Sequence, residues 1–261
     1  MAAIMVSTED RELFIADYAP APGLLDDRNI LVTGAGSGLG AAAAKACARY
    51  GATLILLGRS VGDLEQVYDE IEAAGGNQPA IYPLDLEGAR EADYNEVAQR
   101  LQQAFGRLDG LLHNAAFMGT RTPFEHYSAE LWYRVFQVNV HASFLLTRAC
   151  LPLLQRSRDG RILFTSAEVG RHGHAYWGPY GASKAALENM METLAAELQN
   201  TSVRVNSIDP GAVRTAMRTS AFPGENPEHL PTPDEVMSMY LYALGPDSRE
   251  ITGRRLNAQP N

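Results

Sequence analysis

Residues 29–50 constrain this chain more than any other stretch. Asn29-Ile30-Leu31-Val32-Thr33 is a short apolar run of strand character, and Gly34-Ala35-Gly36-Ser37-Gly38-Leu39-Gly40 follows at once. An alanine-rich helical stretch, Ala41 to Tyr50, comes next. Glycines permit positive φ and let a pyrophosphate approach the main chain closely. A helix N-terminus then offers free N–H groups and a partial positive charge to that phosphate. A glycine-rich turn alone says little, but one set between a strand and a helix points to a dinucleotide cradle.

The rest of the chain repeats the strand–helix alternation. Strands are predicted at Thr53–Leu57, Ala80–Leu84, Leu108–His113, Gly160–Ser166 and Val203–Ile208, with a final edge strand at Arg255–Asn257. Helices are predicted at Val61–Ala74, Ala92–Phe105, Leu131–Leu154, Pro179–Leu198 and Asp234–Leu244. This spacing predicts a single α/β domain over residues 29–261, with a doubly wound parallel sheet of about seven strands and helices on both faces. Residues 1–28 read as an extension: Met1–Asp10 shows no period and is expected to be mobile, Tyr18–Gly23 is proline-stiffened, and Leu24 and Leu25 can pack against the body. Residues 216–233 have loop composition and read as a lid.

The second strand ends in Gly58-Arg59-Ser60. In dinucleotide folds that strand end meets the adenosine ribose. An acidic side chain there selects NAD, whereas Arg59 can pair with the 2′-phosphate of NADP, so the cofactor expectation is NADP(H) rather than NAD. Asp85 could reach the adenine or cap a turn. Asn114-Ala115-Ala116 would let a cofactor lie across the fourth strand's end. Asn139, set among Phe136, Val138, Val140 and Phe144, either bonds a neighbouring backbone or holds a water. Tyr180 and Lys184 lie four apart, which on a helix puts them on one face. A lysine cation beside a tyrosine favours the phenolate, and such a tyrosine can exchange a proton with an alcohol or carbonyl oxygen.

Composition excludes several classes. The net charge is −9 with no basic run, which disfavours nucleic-acid phosphates and anionic membranes. No apolar run approaches a membrane span and no signal peptide is evident, so a cytoplasmic enzyme is expected. Cys47 and Cys150, each in an apolar helical context, are expected to be buried free thiols, and no metal site is expected.

The set Thr33-Gly34-xxx-Gly38-x-Gly40, Asn114-Ala115-Ala116, Asn139, Tyr180-xxx-Lys184 and Pro210-Gly211-xxx-Thr215 resembles the short-chain dehydrogenase/reductase family, in the family's order and over most of the chain. Tyr50–Arg59, Phe164-Thr165-Ser166, Val169-Gly170-Arg171 and Trp177-Gly178 further resemble its YciK-like oxidoreductase subgroup. The resemblance implies a Rossmann fold and a small-molecule carbonyl or alcohol substrate. It implies that Gly34, Ser37, Gly38, Leu39 and Gly40 hold the pyrophosphate and adenosine ribose and that Arg59 binds the 2′-phosphate. Asp85 and Leu86 would border the adenine, and Asn114 and Ala115 the adjoining ribose. Tyr180 would be the acid/base, Lys184 would lower its pKa and bind the nicotinamide ribose, and Asn139 would hold a relay water. Pro210, Val213 and Thr215 would seat the carboxamide.

One part departs from the pattern. The family's serine lies thirteen residues before the tyrosine, and counting back from Tyr180 gives Ala167. The nearest hydroxyl is Ser166, which in an extended strand would face the other way. His172, His174 and Tyr176 could substitute, whereas Glu168 reads as a surface charge. Two functions follow: an NADP(H)-dependent oxidoreductase with Tyr180 as acid/base, or an NADP(H)-binding sensor with little turnover. The resemblance also implies a homodimer or homotetramer paired through helices carrying Phe144, Leu145, Met190 and Met191. Substrate shape would be set by Met118, Glu168, His174, Tyr176 and the lid.

Overall fold

Short apolar runs bounded by turn residues become strands buried on both faces, and the amphipathic runs between them become the covering helices. The computed structural model of the protein describes the backbone of residues 4–6 and all of residues 12–260. In chain order the elements are β1 (Ile4–Val6), β2 (Glu12–Ile15), β3 (Asn29–Thr33), α1 (Gly38–Arg49), β4 (Thr53–Gly58), α2 (Val61–Ala73), β5 (Ala80–Pro83), α3 (Glu91–Phe105), β6 (Gly110–His113), α4 (Ala129–Phe136), α5 (Ala142–Leu154), β7 (Gly160–Thr165), α6 (Glu168–Arg171), α7 (Gly178–Glu197), β8 (Val203–Asp209), α8 (Ala216–Ala221), α9 (Met237–Leu244) and β9 (Arg255–Asn257).

The sheet runs β1-β2-β9-β8-β7-β6-β3-β4-β5. All its pairs are parallel except β1 with β2. The parallel strands β3 to β9 are the seven expected, and two N-terminal strands widen the sheet. The segment read as an extension therefore contributes to the fold: Glu12 pairs with Arg255 and Leu13 with Leu256. β9, expected at the edge, is flanked by β8 and β2. Most of Met1–Asp10, for which mobility was expected, lies outside the described residues. Leu25 is buried and Leu24 packs on the same core, as expected.

Two apolar clusters sandwich the sheet. One gathers α1, α2 and α9 around Ile30, Val32, Leu54 and Leu56; the other gathers α3, α5 and α7 around Leu31, Ile55, Leu111 and Ile162. Alternate residues of one strand thus feed opposite cores. Cys47 and Cys150 are buried and unbonded, their thiols pushed up to about 12 by burial. Among the expected pairing residues Met191 is fully buried, Leu145 and Met190 pack partly on the core, and Phe144 is exposed. Among the described residues no helix is long and apolar enough to cross a membrane, and no acidic, His or Cys group could hold a metal.

Strand order reverses between β3 and β6, so a crevice opens at the carboxyl ends of the strands there. The long helical stretch expected over 131–154 is two helices, α4 and α5, joined by a π-helical turn at Gln137–His141. The lid stretch, expected as loop, folds in part into α8, whose N-cap is the Thr215 hydroxyl accepting from Arg218 N at 3.1 Å.

Candidate active site

The crevice holds a cleft of about 730 Å³ that runs from the glycine turn, past the ends of β4, β6, β7 and β8, to α8. At one end, Gly34 and Gly38 take φ of +64° and +53°, a left-handed region that disfavours other residues. Ser37 precedes α1 without giving it a side-chain cap, and no acidic residue stands in the first turn. The first N–H groups of α1 are therefore free to bind an anion. Gly34, Ser37, Gly38 and Leu39 line the cleft, whereas Gly40 does not. A Cβ on Gly40 would overlap the Gly34 carbonyl oxygen and crowd Asn114 Nδ2 at 2.6 Å. The missing side chain at Gly40 lets α1 close on the turn.

The neighbouring wall is fixed by backbone bonds. Thr33 Oγ1, which the sequence reading did not single out as a site residue, donates to Leu112 O (3.3 Å) and accepts from Asn114 N and Ala115 N (both 3.0 Å). It thereby locks the ends of β3 and β6 together. Asn114, Ala115, Asp85 and Leu86 all line the cleft. Asp85 also caps a turn, Oδ1 accepting from Glu87 N at 3.1 Å, so both of its sequence readings are compatible with its position. Arg59 is exposed at the end of β4 and has no ion-pair partner among the described residues. The cradle fits a dinucleotide phosphate on the free α1 N–H groups and a further phosphate on Arg59.

At the other end lie Tyr180 and Lys184, one turn apart on α7 and both buried and cleft-lining. Lys184 Nζ donates to Thr165 O at 2.6 Å and sits 5.5 Å from the Tyr180 ring centre. Burial lowers Lys184 to about 8, with Asp209 and Glu188 pulling the other way. Tyr180 runs against expectation. Burial, reinforced by Asp209, holds its hydroxyl above the ordinary tyrosine value. Asp209, a cleft-lining residue the sequence reading passed over, is itself pushed up by burial while its Oδ1 accepts from Gly211 N at 2.8 Å.

Asn139 is fully buried and faces no cleft. Its Oδ1 accepts from Phe117 N (2.7 Å), and its Nδ2 donates to Phe117 O (3.1 Å) and Ser183 Oγ (2.9 Å). The backbone-anchoring alternative is what its side chain does. It ties the π turn to the loop after β6 and to α7. Pro210, Val213 and Thr215 line the cleft beyond β8.

The position beside Tyr180 is Ala167, which packs with Met118, Ala221, Trp177 and Phe222 in one small apolar cluster around the tyrosine. Ser166 lines the cleft, but its Oγ is buried with no hydrogen-bond partner among the described residues. Met118, Glu168 and His174 line the cleft as expected, but Tyr176 does not. Tyr176 lies in a side pocket of about 240 Å³ with φ of +72°. Glu168 is more than a surface charge, since its Oε1 meets His172 Nδ1 (3.3 Å) and His174 Nε2 (2.9 Å) at the cleft rim. Trp177, from one of the subgroup motifs, and Met217 and Phe222, from the stretch expected as a lid, complete this end, and Arg121, which no motif announced, lies against two of these rings.

An anion-binding glycine turn at a sheet switch point, facing a buried Tyr-Lys pair, defines a dinucleotide-dependent oxidoreductase of short-chain type. The short chain dehydrogenase family profile matches residues 28–226, and the chain belongs to that family. It is 50% identical over 243 residues to the uncharacterized oxidoreductase YciK of Escherichia coli K12, covering 93% of this chain and 96% of the relative. The solved structure of yciK from E. coli superposes with a TM-score of 0.91 at 50% identity, over 94% of this chain and all of the other (100%). A short chain dehydrogenase from E. coli CFT073, solved in complex with NADPH, superposes with a TM-score of 0.90 at 50% identity, over 92% of this chain and 100% of the other.

Proposed function

We propose that this protein is an NADP(H)-dependent oxidoreductase of the cytoplasm that interconverts a small-molecule carbonyl and its alcohol, with Tyr180 as the proton donor and acceptor. The observation that carries this reading is geometric. Tyr180 and Lys184 open into the same cleft as the glycine turn and the unpaired Arg59. Support also comes from the NADPH complex of the E. coli CFT073 relative.

Gly34, Ser37, Gly38 and Leu39 would hold the pyrophosphate, Arg59 the 2′-phosphate, and Asp85, Leu86, Asn114 and Ala115 the adenosine. Pro210, Val213 and Thr215 would flank the nicotinamide end. NADPH held there supplies the hydride. In reduction the carbonyl oxygen takes the proton of Tyr180 Oη as the carbon receives hydride, and the alcohol leaves. A hydroxyl that burial holds above the ordinary tyrosine value can serve as the proton donor in reduction. Lys184 supplies the nearby cation that stabilises the phenolate left behind. Asn139 holds the loop and helix that set Tyr180 in place, and its π turn is a feature often found at functional sites. Pairing of the face that exposes Phe144 would give a homodimer or homotetramer.

Ala167 beside Tyr180 favours a second reading, a cofactor-binding protein with little turnover, because a missing hydroxyl removes about 3 kcal/mol of oxyanion stabilisation. The decisive measurement is NADPH oxidation against a panel of aldehydes, ketones and quinones. The expected result is wild-type turnover that falls about 10²–10⁴-fold in Tyr180→Phe with NADPH binding unchanged. NADPH binding without turnover, together with activity appearing in Ala167→Ser, would establish the second reading instead.

A further inference from the structure

Tyr180 packs in an apolar cluster drawn from several segments, with Ser166, Glu168 and Asp209 lining the same cleft. Met118 comes from the loop after β6, Ala167 and Val169 from the start of α6, Trp177 from the loop before α7, and Ala221 and Phe222 from the end of α8. Met217 adds its sulfur 4.0 Å from Tyr180 Oη and is itself partly exposed. These are side chains brought together from four separate segments.

The charged groups nearby are engaged with one another. The Arg121 guanidinium lies against the rings of Trp177 (4.8 Å) and Phe222 (4.5 Å) and donates to Ala221 O at 2.6 Å. Arg218 lies 3.8 Å over Phe222 and pairs with Glu225 at 2.6 and 2.8 Å. Both guanidiniums therefore act as struts on the apolar wall. Two carboxylates also border this end, Glu168 held by its two histidines and Asp209 held by Gly211 N. An anionic substrate would meet these carboxylates and find both nearby arginines occupied. A polyhydroxylated one would bury polar groups against methyls and rings without partners, which costs free energy.

Building on the reductase reading above, we propose that the substrate is a non-anionic aldehyde or ketone with an extended apolar body, its carbonyl at Tyr180 and its chain against Met118, Met217, Trp177 and Phe222. The reaction balances as a two-electron reduction. The carbonyl carbon gains hydride from NADPH, its oxygen gains the Tyr180 proton, and the products are the alcohol and NADP⁺.

The test is a homologous series of straight-chain aldehydes and methyl ketones, compared with aldehydes of matched length ending in a carboxylate. Each buried methylene should raise kcat/KM about threefold to fourfold until the chain outgrows the cleft. The carboxylate-ended analogue should fall about a hundredfold or more below the neutral one. Phe222→Ala and Met118→Ser should each flatten the length dependence, a slope read within each variant, with NADPH binding confirming that the variant is folded. A flat series, or preference for the carboxylate-ended analogue, would overturn the inference. The reductase reading fails separately, if NADPH binds and no carbonyl is turned over. In that event the apolar wall is still testable: unreactive alkyl amides should bind the NADP⁺-loaded protein more tightly with each methylene in calorimetry, and length-independent binding would sink the proposal.

Discussion

The two ends of the cleft are made of different material. The nucleotide end is main chain: glycines at positive φ, the free N–H groups of α1, and strand ends stitched by Thr33. The substrate end is side chain: Met118, Trp177, Phe222 and Arg121 from distant segments, joined by ring and guanidinium contacts. A backbone cradle tolerates few substitutions because a Cβ or a changed φ has nowhere to go. A side-chain wall can be repacked one residue at a time. The contrast explains how a chain can keep a family's cofactor chemistry while replacing the family's serine by Ala167.

The sharpest way to break this contrast is at the nucleotide-end contact proposed for a charged side chain. Arg59 is exposed and unpaired, and its proposed partner is a phosphate. Arg59→Ala should weaken NADPH binding about tenfold to a hundredfold, the value of a charge-assisted hydrogen bond or two, and leave NADH binding unchanged. Fluorescence titration with both cofactors decides it. Equal loss for both would mean that Arg59 supports the fold rather than the 2′-phosphate.

The contrast also explains what could be read from the sequence. Gly34 to Gly40 between a strand and a helix is a local pattern, and its backbone consequences are local too. Tyr180 and Lys184 share a helix face by spacing alone. The alternation of apolar runs gave the parallel sheet, since each run feeds one of two cores. The N-terminal strand was not legible because β2 has only four residues and gains its place from pairing with β9, more than two hundred residues away. Glu12 then accepts from Arg171 Nη1 at 3.1 Å, anchoring the far side of α6, a contact no local pattern could announce. Arg121 reaching Ala221 O is equally long-range. The direction of the Tyr180 shift was not legible for a related reason: spacing reveals the lysine one turn away, but depth of burial is tertiary.

That burial gives the next prediction, smaller than the first near neutrality and growing with pH. Lys184 holds its proton in the folded protein only below about 8. If the cation is needed to stabilise the Tyr180 phenolate, kcat/KM for carbonyl reduction should be level below pH 8 and fall about tenfold per unit above it. The same shift bears on stability. Between about 8 and the ordinary lysine value of 10.5, the unfolded chain keeps this proton while the folded one has lost it. The unfolded state thus binds more protons, and the contribution of Lys184 to stability rises with pH through that window. A pH–rate profile without a limb near 8 would show that the cation does not take part. Denaturant midpoints of wild type and Lys184→Met across that range read the stability term separately.

The smallest expected effect probes the substrate end itself. Arg121 touches Trp177, Phe222 and the Ala221 carbonyl, so it fastens α8 to both loops that face it. It lines neither the nucleotide cradle nor the position of Tyr180, and removing it should leave both in place. An exposed cation–π contact contributes about 0.5–1 kcal/mol and a single hydrogen bond a similar amount. Arg121→Ala should therefore raise KM for the carbonyl about threefold to tenfold, through a loosened wall, while the dissociation constant for NADPH stays within about twofold. Arg121→Lys, which keeps the charge but loses the planar stacking, should fall between the two. If Arg121→Ala instead weakened NADPH binding as much as carbonyl binding, the two ends of the cleft would be coupled through α8, and the division between a fixed backbone cradle and an independently adjustable wall would not hold.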